Sequence, residues 1–170
     1  MGIGISIRPQ LQTGCAQPYI AIPVQLLPAD WKQLKILIDE LTNWLNHQSV
    51  KIAGPLFYRY HTYGVANTIR GIEVGYPVAG EVKGNNRIVT SKIPEGVFAT
   101  LIHCGQPGVN GNTTLEHLLC WANQQNIRWK CELQNGGQVW TGFFEFYLTN
   151  PADVSHLNQC RTALALLIDE

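Results

Sequence analysis

Between Tyr19 and Leu26 the chain alternates, with Ile20, Ile22, Val24 and Leu26 on one side. That period of two predicts a strand. The period changes after Pro28-Ala29-Asp30. Leu34, Leu37, Ile38, Leu41, Trp44, Leu45 and Gln48 recur at three- and four-residue spacing, predicting a helix from near Trp31 to about His47. Asp30 with Gln33 reads as its capping box. Gly54-Pro55 breaks the chain. An aromatic strand is then predicted over Leu56 to Tyr63, a second over Ile69 to Val78, and a turn at Gly84-Asn85-Asn86.

The order repeats. Ile93-Pro94-Glu95-Gly96 leads into a strand, Val97 to Cys104, and a Gly/Asn loop runs from Gly105 to Asn112. Thr113 with Glu116 makes a capping box, and a helix follows to about Asn126. Next comes the most apolar strand, Gly142 to Leu148. Asn150-Pro151 turns the chain into a last strand, Thr162 to Ile168. The expected fold class is α+β: duplicated strand-helix-strand-strand units with pseudo-twofold symmetry and a ligand groove at their junction. A trace of the copy survives where Leu41 to Val50 resembles Leu118 to Ile127 at an offset of 77 positions, aligning Trp44 with Trp121. Past the helices the offset becomes 88, aligning Gly54 with Gly142 and Phe57 with Glu145. Residues 1–16 read as a loose lead-in and 17–170 as a single domain, with repeats over about 17–80 and 92–169.

Alternation divides the Gly142–Leu148 strand into two faces. Phe144, Phe146 and Leu148 form one, suited to a core. Phe143, Glu145 and Tyr147 form the other: a carboxylate between two rings, with no Lys or Arg in the strand to pair it. A buried carboxylate is costly without a partner, so the partner is expected to be a ligand. The rings would each add cation–π attraction of about 0.5–2 kcal/mol. The plain alternative is a solvated Glu145 at a sheet surface. Glu73, pointing away from Ile72 and Val74, has the same two readings. Trp121 is either a pocket ring or a core ring, as Trp44 suggests.

Charge and cysteines narrow the function. The chain carries 12 basic and 12 acidic residues with no basic cluster, so nucleic acid lacks its electrostatic footprint. No apolar run reaches membrane-spanning length, and no signal peptide is visible. Five cysteines, an odd number without C-x-x-C, suit reduced thiols and a cytoplasmic location. Metal-ligand spacing is absent, and no cofactor is expected. His103 and Cys104 are strand neighbours and point apart, so a Cys-His nucleophile is disfavoured. Gly105, Gly108 and Gly111 lack the lysine of a phosphate loop.

Several stretches resemble the GyrI-like (gyrase-inhibitor-like) family. They are Gly54-Pro55-Leu56-Phe57-Tyr58-Arg59-Tyr60-His61, Ile72-Glu73-Val74-Gly75-Tyr76-Pro77-Val78, Ile93-Pro94-Glu95-Gly96-Val97-Phe98-Ala99, His103-Cys104-Gly105, Trp121, and Glu145-Phe146-Tyr147-Leu148-Thr149-Asn150-Pro151. They span about residues 17 to 168 in the family's order. The resemblance implies the duplicated fold and a bacterial protein related to the effector-binding domains of multidrug-responsive transcription regulators. It also implies a central aromatic groove whose acid, Glu145, meets amphipathic cations. Glu73 matches a second family glutamate, and Tyr60, Tyr76 and Trp121 match aromatic positions. Two departures concern the ligand's shape and charge: Gln106-Pro107 replaces a family Pro-Tyr, and Cys160-Arg161-Thr162-Ala163 lacks a family Trp and Glu. With only some 16 residues ahead of the domain, a stand-alone binder is expected, with no direct nucleic-acid or membrane contact. The alternatives are a hydrolase of strained or electrophilic molecules using Glu145, and a protein-inhibitor role through a partner.

Overall fold

The computed structural model describes residues 7–26, 32–63, 70–105, 111–134, 137–149 and 154–169. Its strands are β1 (Gln10–Gly14), β2 (Gln17–Leu26), β3 (Phe57–Tyr60), β4 (Thr62–Tyr63), β5 (Arg70–Pro77), β6 (Val89–Ile93), β7 (Gly96–Cys104), β8 (Arg128–Trp129), β9 (Cys131–Gln134), β10 (Gly137–Trp140), β11 (Phe143–Tyr147) and β12 (Arg161–Asp169). The helices are α1 (Lys32–His47) and α2 (Gly111–Gln124). The main sheet is antiparallel in the order β1-β7-β12-β11-β3-β5-β2-β6, with β8 on the end of β12; β4-β10-β9 form a small second sheet.

The connections force this sheet to curl. β6 is one edge, and β7 lies next to the other edge, yet only Pro94 and Glu95 separate them. Three Cα–Cα steps reach at most roughly 11 Å. The β1–β2 link, Cys15-Ala16, is as short and joins the same two ends of the order. The sheet therefore wraps into a half-barrel. Exchanging β3 with β11, β5 with β12, β2 with β7 and β6 with β1 leaves the strand order unchanged.

Alternation gives the central strands two buried faces. On the inner face Tyr19, Phe57, Ile93, Phe98, Phe144, Phe146 and Leu167 form one core. Phe57 meets Phe144 and Phe146 at 5.6 and 5.7 Å between ring centroids. On the outer face Leu34, Leu37, Leu41 and Leu45 of α1 and Leu115 and Leu118 of α2 pack with Ile20, Tyr58, Tyr60, Val74, Phe143 and Leu164. The helix stripe at three- and four-residue spacing is what makes this second layer. Gly75 marks where the inner layer is tightest: a β-carbon there would lie 2.7 Å from the Ile20 carbonyl oxygen and from the Phe57 ring. Gly75→Ala is expected to cost about 1–3 kcal/mol, read from urea unfolding.

Several expectations need correction. Gln10–Gly14, read as loose lead-in, is an edge strand paired with β7. The stretch Leu56–Tyr63 divides at His61 because β4 leaves the main sheet to pair with β10. α2 begins at Gly111, so Thr113 sits inside its first turn and is not its cap. β6 and the short strands β8, β9 and β10 were not anticipated. The offset of 88 fails in the strands, since Phe57 lies on the inner face and Glu145 on the helix face. Gly84-Asn85-Asn86 does turn: Asn85 Oδ1 accepts from the backbone N–H groups of Arg87 and Ile88 at 2.8 and 2.7 Å. Asp30 and Asn150-Pro151 lie outside the described residues.

Candidate ligand-binding site

β11 occupies the middle of the sheet, between β12 and β3. Its odd-numbered residues face the helices. Phe144 and Phe146 anchor the strand from the other side, in the inner core. Glu145 thus projects from the centre of the helix-bearing face, opposite Tyr58 on β3 and Leu164 on β12.

Phenols surround its carboxylate. Tyr60 donates its hydroxyl proton to Glu145 Oε2 at 2.7 Å, and Tyr147 donates to Oε1 at 3.3 Å. Tyr58 stacks obliquely on Tyr147, with centroids 4.8 Å apart. Glu145 keeps partial contact with solvent, yet packing strips most water from its carboxyl. That desolvation raises its pKa above the ordinary 4.5 despite the opposing hydrogen bonds from Tyr60 and Tyr147. Burial, and then the Glu145 charge, push Tyr58 up to about 12 and Tyr60 well above 10. Burial and Glu145 raise Tyr147 as well. The phenols therefore stay protonated and contribute donors but no cation. Among the described residues no Lys, Arg or His forms an ion pair with Glu145.

Glu73 presents the contrast. It sits on β5 between Ile72 and Val74 of the helix-face core, so it points to the inner face. There it is answered from within the chain. Tyr19 donates to Glu73 Oε2 at 2.5 Å, His61 Nε2 lies 3.1 Å from Oε1, and Arg59 Nη1 lies 3.8 Å from Oε2. Arg59 Nη1 also donates to Tyr19 at 2.6 Å, Nη2 donates to the Thr141 carbonyl at 3.0 Å, and the guanidinium lies 5.6 Å from the Phe144 ring centroid. Burial alone would raise the Glu73 pKa, but His61, Tyr19 and Arg59 together outweigh it and hold it low. Burial and the Glu73 charge lift Tyr19 to about 12. The two glutamates therefore do not share a groove, and the pairing of Glu73 with Glu145 as co-ligands is corrected.

No family model matches the chain, and no curated protein matches it by sequence. Solved structures do. The EcmrR C-terminal domain superposes with a TM-score of 0.75 at 14% identity, covering 96% of this chain and 98% of that one. The chain spans 57% of EcmrR in its DNA complex. A hydrolase from Listeria innocua gives a TM-score of 0.61 at 11% identity, covering 98% of this chain and 94% of that one. SAV2435 bound to tetraphenylphosphonium gives 0.51 at 12% identity, covering 95% and 94%. The chain has the GyrI-like fold.

Within this GyrI-like fold the remaining aromatic candidates separate. Phe143 is only 2% exposed and packs against Tyr60, Tyr63 and Trp140 at 4.9, 5.2 and 5.4 Å between centroids. It is core beneath the site, so its expected role as a ring facing a guest is corrected. Tyr60, 4% exposed, reaches Glu145 through its hydroxyl rather than through its ring. Tyr147, Tyr76 and Trp121 are part-buried against the helix-face core, and Tyr76 lies near Tyr58. Tyr58 was missed as a site residue, although Tyr58 and Tyr60 share a face by simple alternation. Arg59, Tyr19 and His61 were missed as the partners of Glu73: the β3–β5 register sets Arg59 opposite it, and Tyr19 and His61 reach it through their side chains.

Proposed function

We propose that this chain binds amphipathic organic cations on the helix face of its GyrI-like sheet, with Glu145 as the counter-charge. One observation carries the reading. Glu73 has a guanidinium and an imidazole beside it, whereas Glu145, its carboxyl largely stripped of water, meets only phenols among the described residues. A desolvated anion of this kind gains more from a cation than it would in water. The part-buried rings of Tyr147, Tyr76 and Trp121 offer apolar and cation–π contact to the guest's organic body. Tetraphenylphosphonium, the compound bound to SAV2435, is the natural first probe.

The test is a fluorescence-displacement titration with tetraphenylphosphonium and a neutral tetraphenyl analogue. The cation should bind and the neutral analogue should bind far more weakly; equal binding overturns the reading. The pH dependence has a definite sign. Protonating Glu145 removes the counter-charge, so cation binding should fall as pH drops through its raised pKa, beginning above the ordinary 4.5. Tyr60→Phe deletes a donor to the ionised carboxylate. It should move the midpoint of this loss to higher pH, as measured by repeating the titration across pH.

A raised carboxyl beside a phenol at 2.7 Å also suits acid–base chemistry. If the chain is a hydrolase, an electrophilic probe should disappear with time in the presence of the wild type and persist with Glu145→Gln. Stoichiometric binding without turnover favours the binding reading.

A further inference from the structure

A polar row leaves Glu145 along the same face. Tyr147 lies two residues further along β11 and pairs with Thr162 of β12. Thr162 in turn pairs with His103 of β7. Leu164 and Leu166 on β12, and Ala99 and Leu101 on β7, belong to the helix-face core, so Thr162 and His103 point to that face too. Thr162 is 3% exposed, and its hydroxyl has no hydrogen-bond partner among the described residues. His103 spends Nδ1 on the Thr114 hydroxyl of α2, at 3.0 Å, while its buried Nε2 has no partner among the described residues. Directly opposed residues place their β-carbons about 5 Å apart. Two unsatisfied hydrogen-bonding groups therefore adjoin one another in a buried setting, where each costs free energy until it is paired. An open pocket of about 540 Å³ reaches His103 between Leu101, Thr114 and His117, without Thr162 in its wall.

We infer that Thr162 and His103 form a second, uncharged subsite that takes a hydroxyl or amide at the far end of the cationic guest. The inference rests on the cation reading above and specifies what the guest carries besides its charge. Two residues along β11 and one strand across put Thr162 roughly 8 Å from Glu145, taking about 3.3 Å per residue and 4.8 Å between strands. A hydroxyl accepts and donates, so it suits either tautomer of His103 and either rotor of Thr162. An alkyl end satisfies neither. The subsite thus separates guests that share a charge and differ in their distal polarity.

The probes are hexyltriphenylphosphonium and (6-hydroxyhexyl)triphenylphosphonium, which differ by one terminal hydroxyl. The wild type should bind the hydroxylated cation about fivefold more tightly, the worth of one well-placed hydrogen bond. Thr162→Val and His103→Phe should each bring that ratio towards one while still binding the alkyl cation. The ratio is taken within one variant, so lost stability does not mimic the effect. Equal binding of both cations by the wild type, or a ratio unchanged in both variants, overturns the subsite and leaves the cation reading standing. Failure of both cations to bind overturns the cation reading and the subsite with it.

Discussion

Glu145→Gln is expected to weaken tetraphenylphosphonium binding by about 30- to 1,000-fold, corresponding to roughly 2–4 kcal/mol, with little change for a neutral analogue. The substitution keeps the size and shape of the side chain and its acceptor towards Tyr60, so the surrounding packing survives. What disappears is a charge that burial has made unfavourable without a guest. The folding consequence has the opposite sign. A carboxyl whose folded pKa is raised binds its proton more tightly folded than unfolded, so its ionisation opposes folding above that pKa. Glu145→Gln should therefore be as stable as the wild type at neutral pH, or more so, while failing to bind. Calorimetric titration and thermal unfolding on the same sample separate the two effects.

Arg59→Met is expected to do the reverse, costing about 1–3 kcal/mol of stability, because it removes a guanidinium and its hydrogen bonds beside Glu73, which keeps Tyr19 and His61. The methionine keeps the aliphatic stem over Phe144 but loses the bonds to Tyr19 and Thr141. The Glu73 linkage runs opposite to that of Glu145. Its pKa is lowered in the fold, so it contributes stability above the unfolded value that is lost as pH falls through the folded value. That acid-sensitive component should shrink in Arg59→Met. Adding Glu73→Gln should recover part of the loss, since the less fully compensated charge is then gone. Urea unfolding of the two variants at neutral and acid pH measures both effects. Cation affinity, per folded molecule, should stay near wild type in each. A large loss of affinity with Arg59→Met would mean that the two faces are coupled.

Alternation made the faces of β11 legible, because a strand's period of two holds whatever its neighbours are. It placed Phe144 and Phe146 in one core and Glu145 with Tyr147 on the other face, and the helix stripes of α1 and α2 were equally plain. Pairing between strands is a different matter. Glu73 reads in the sequence like Glu145, a lone acid among apolar neighbours. What separates them is Arg59, set opposite Glu73 by the β3–β5 register, and His61 and Tyr19, whose side chains reach Glu73 only in the folded sheet. Phe143 fails for the same reason: Trp140 and Tyr63, which bury it, arrive through the small β4-β10-β9 sheet. Those strands are two to four residues long, too short for a period to show. β1 and β6 escaped because edge strands with polar outward positions resemble loop.

Proton release on binding probes Glu145 most directly. Tetraphenylphosphonium is titrated by calorimetry in buffers of differing ionisation enthalpy, near the raised Glu145 pKa and again well above it. A guest that needs the ionised carboxylate must expel the carboxyl proton, so release is predicted at the lower pH, falling away at the higher one, and none at either pH in Glu145→Gln. Binding of equal strength with no proton released at the lower pH would contradict the account.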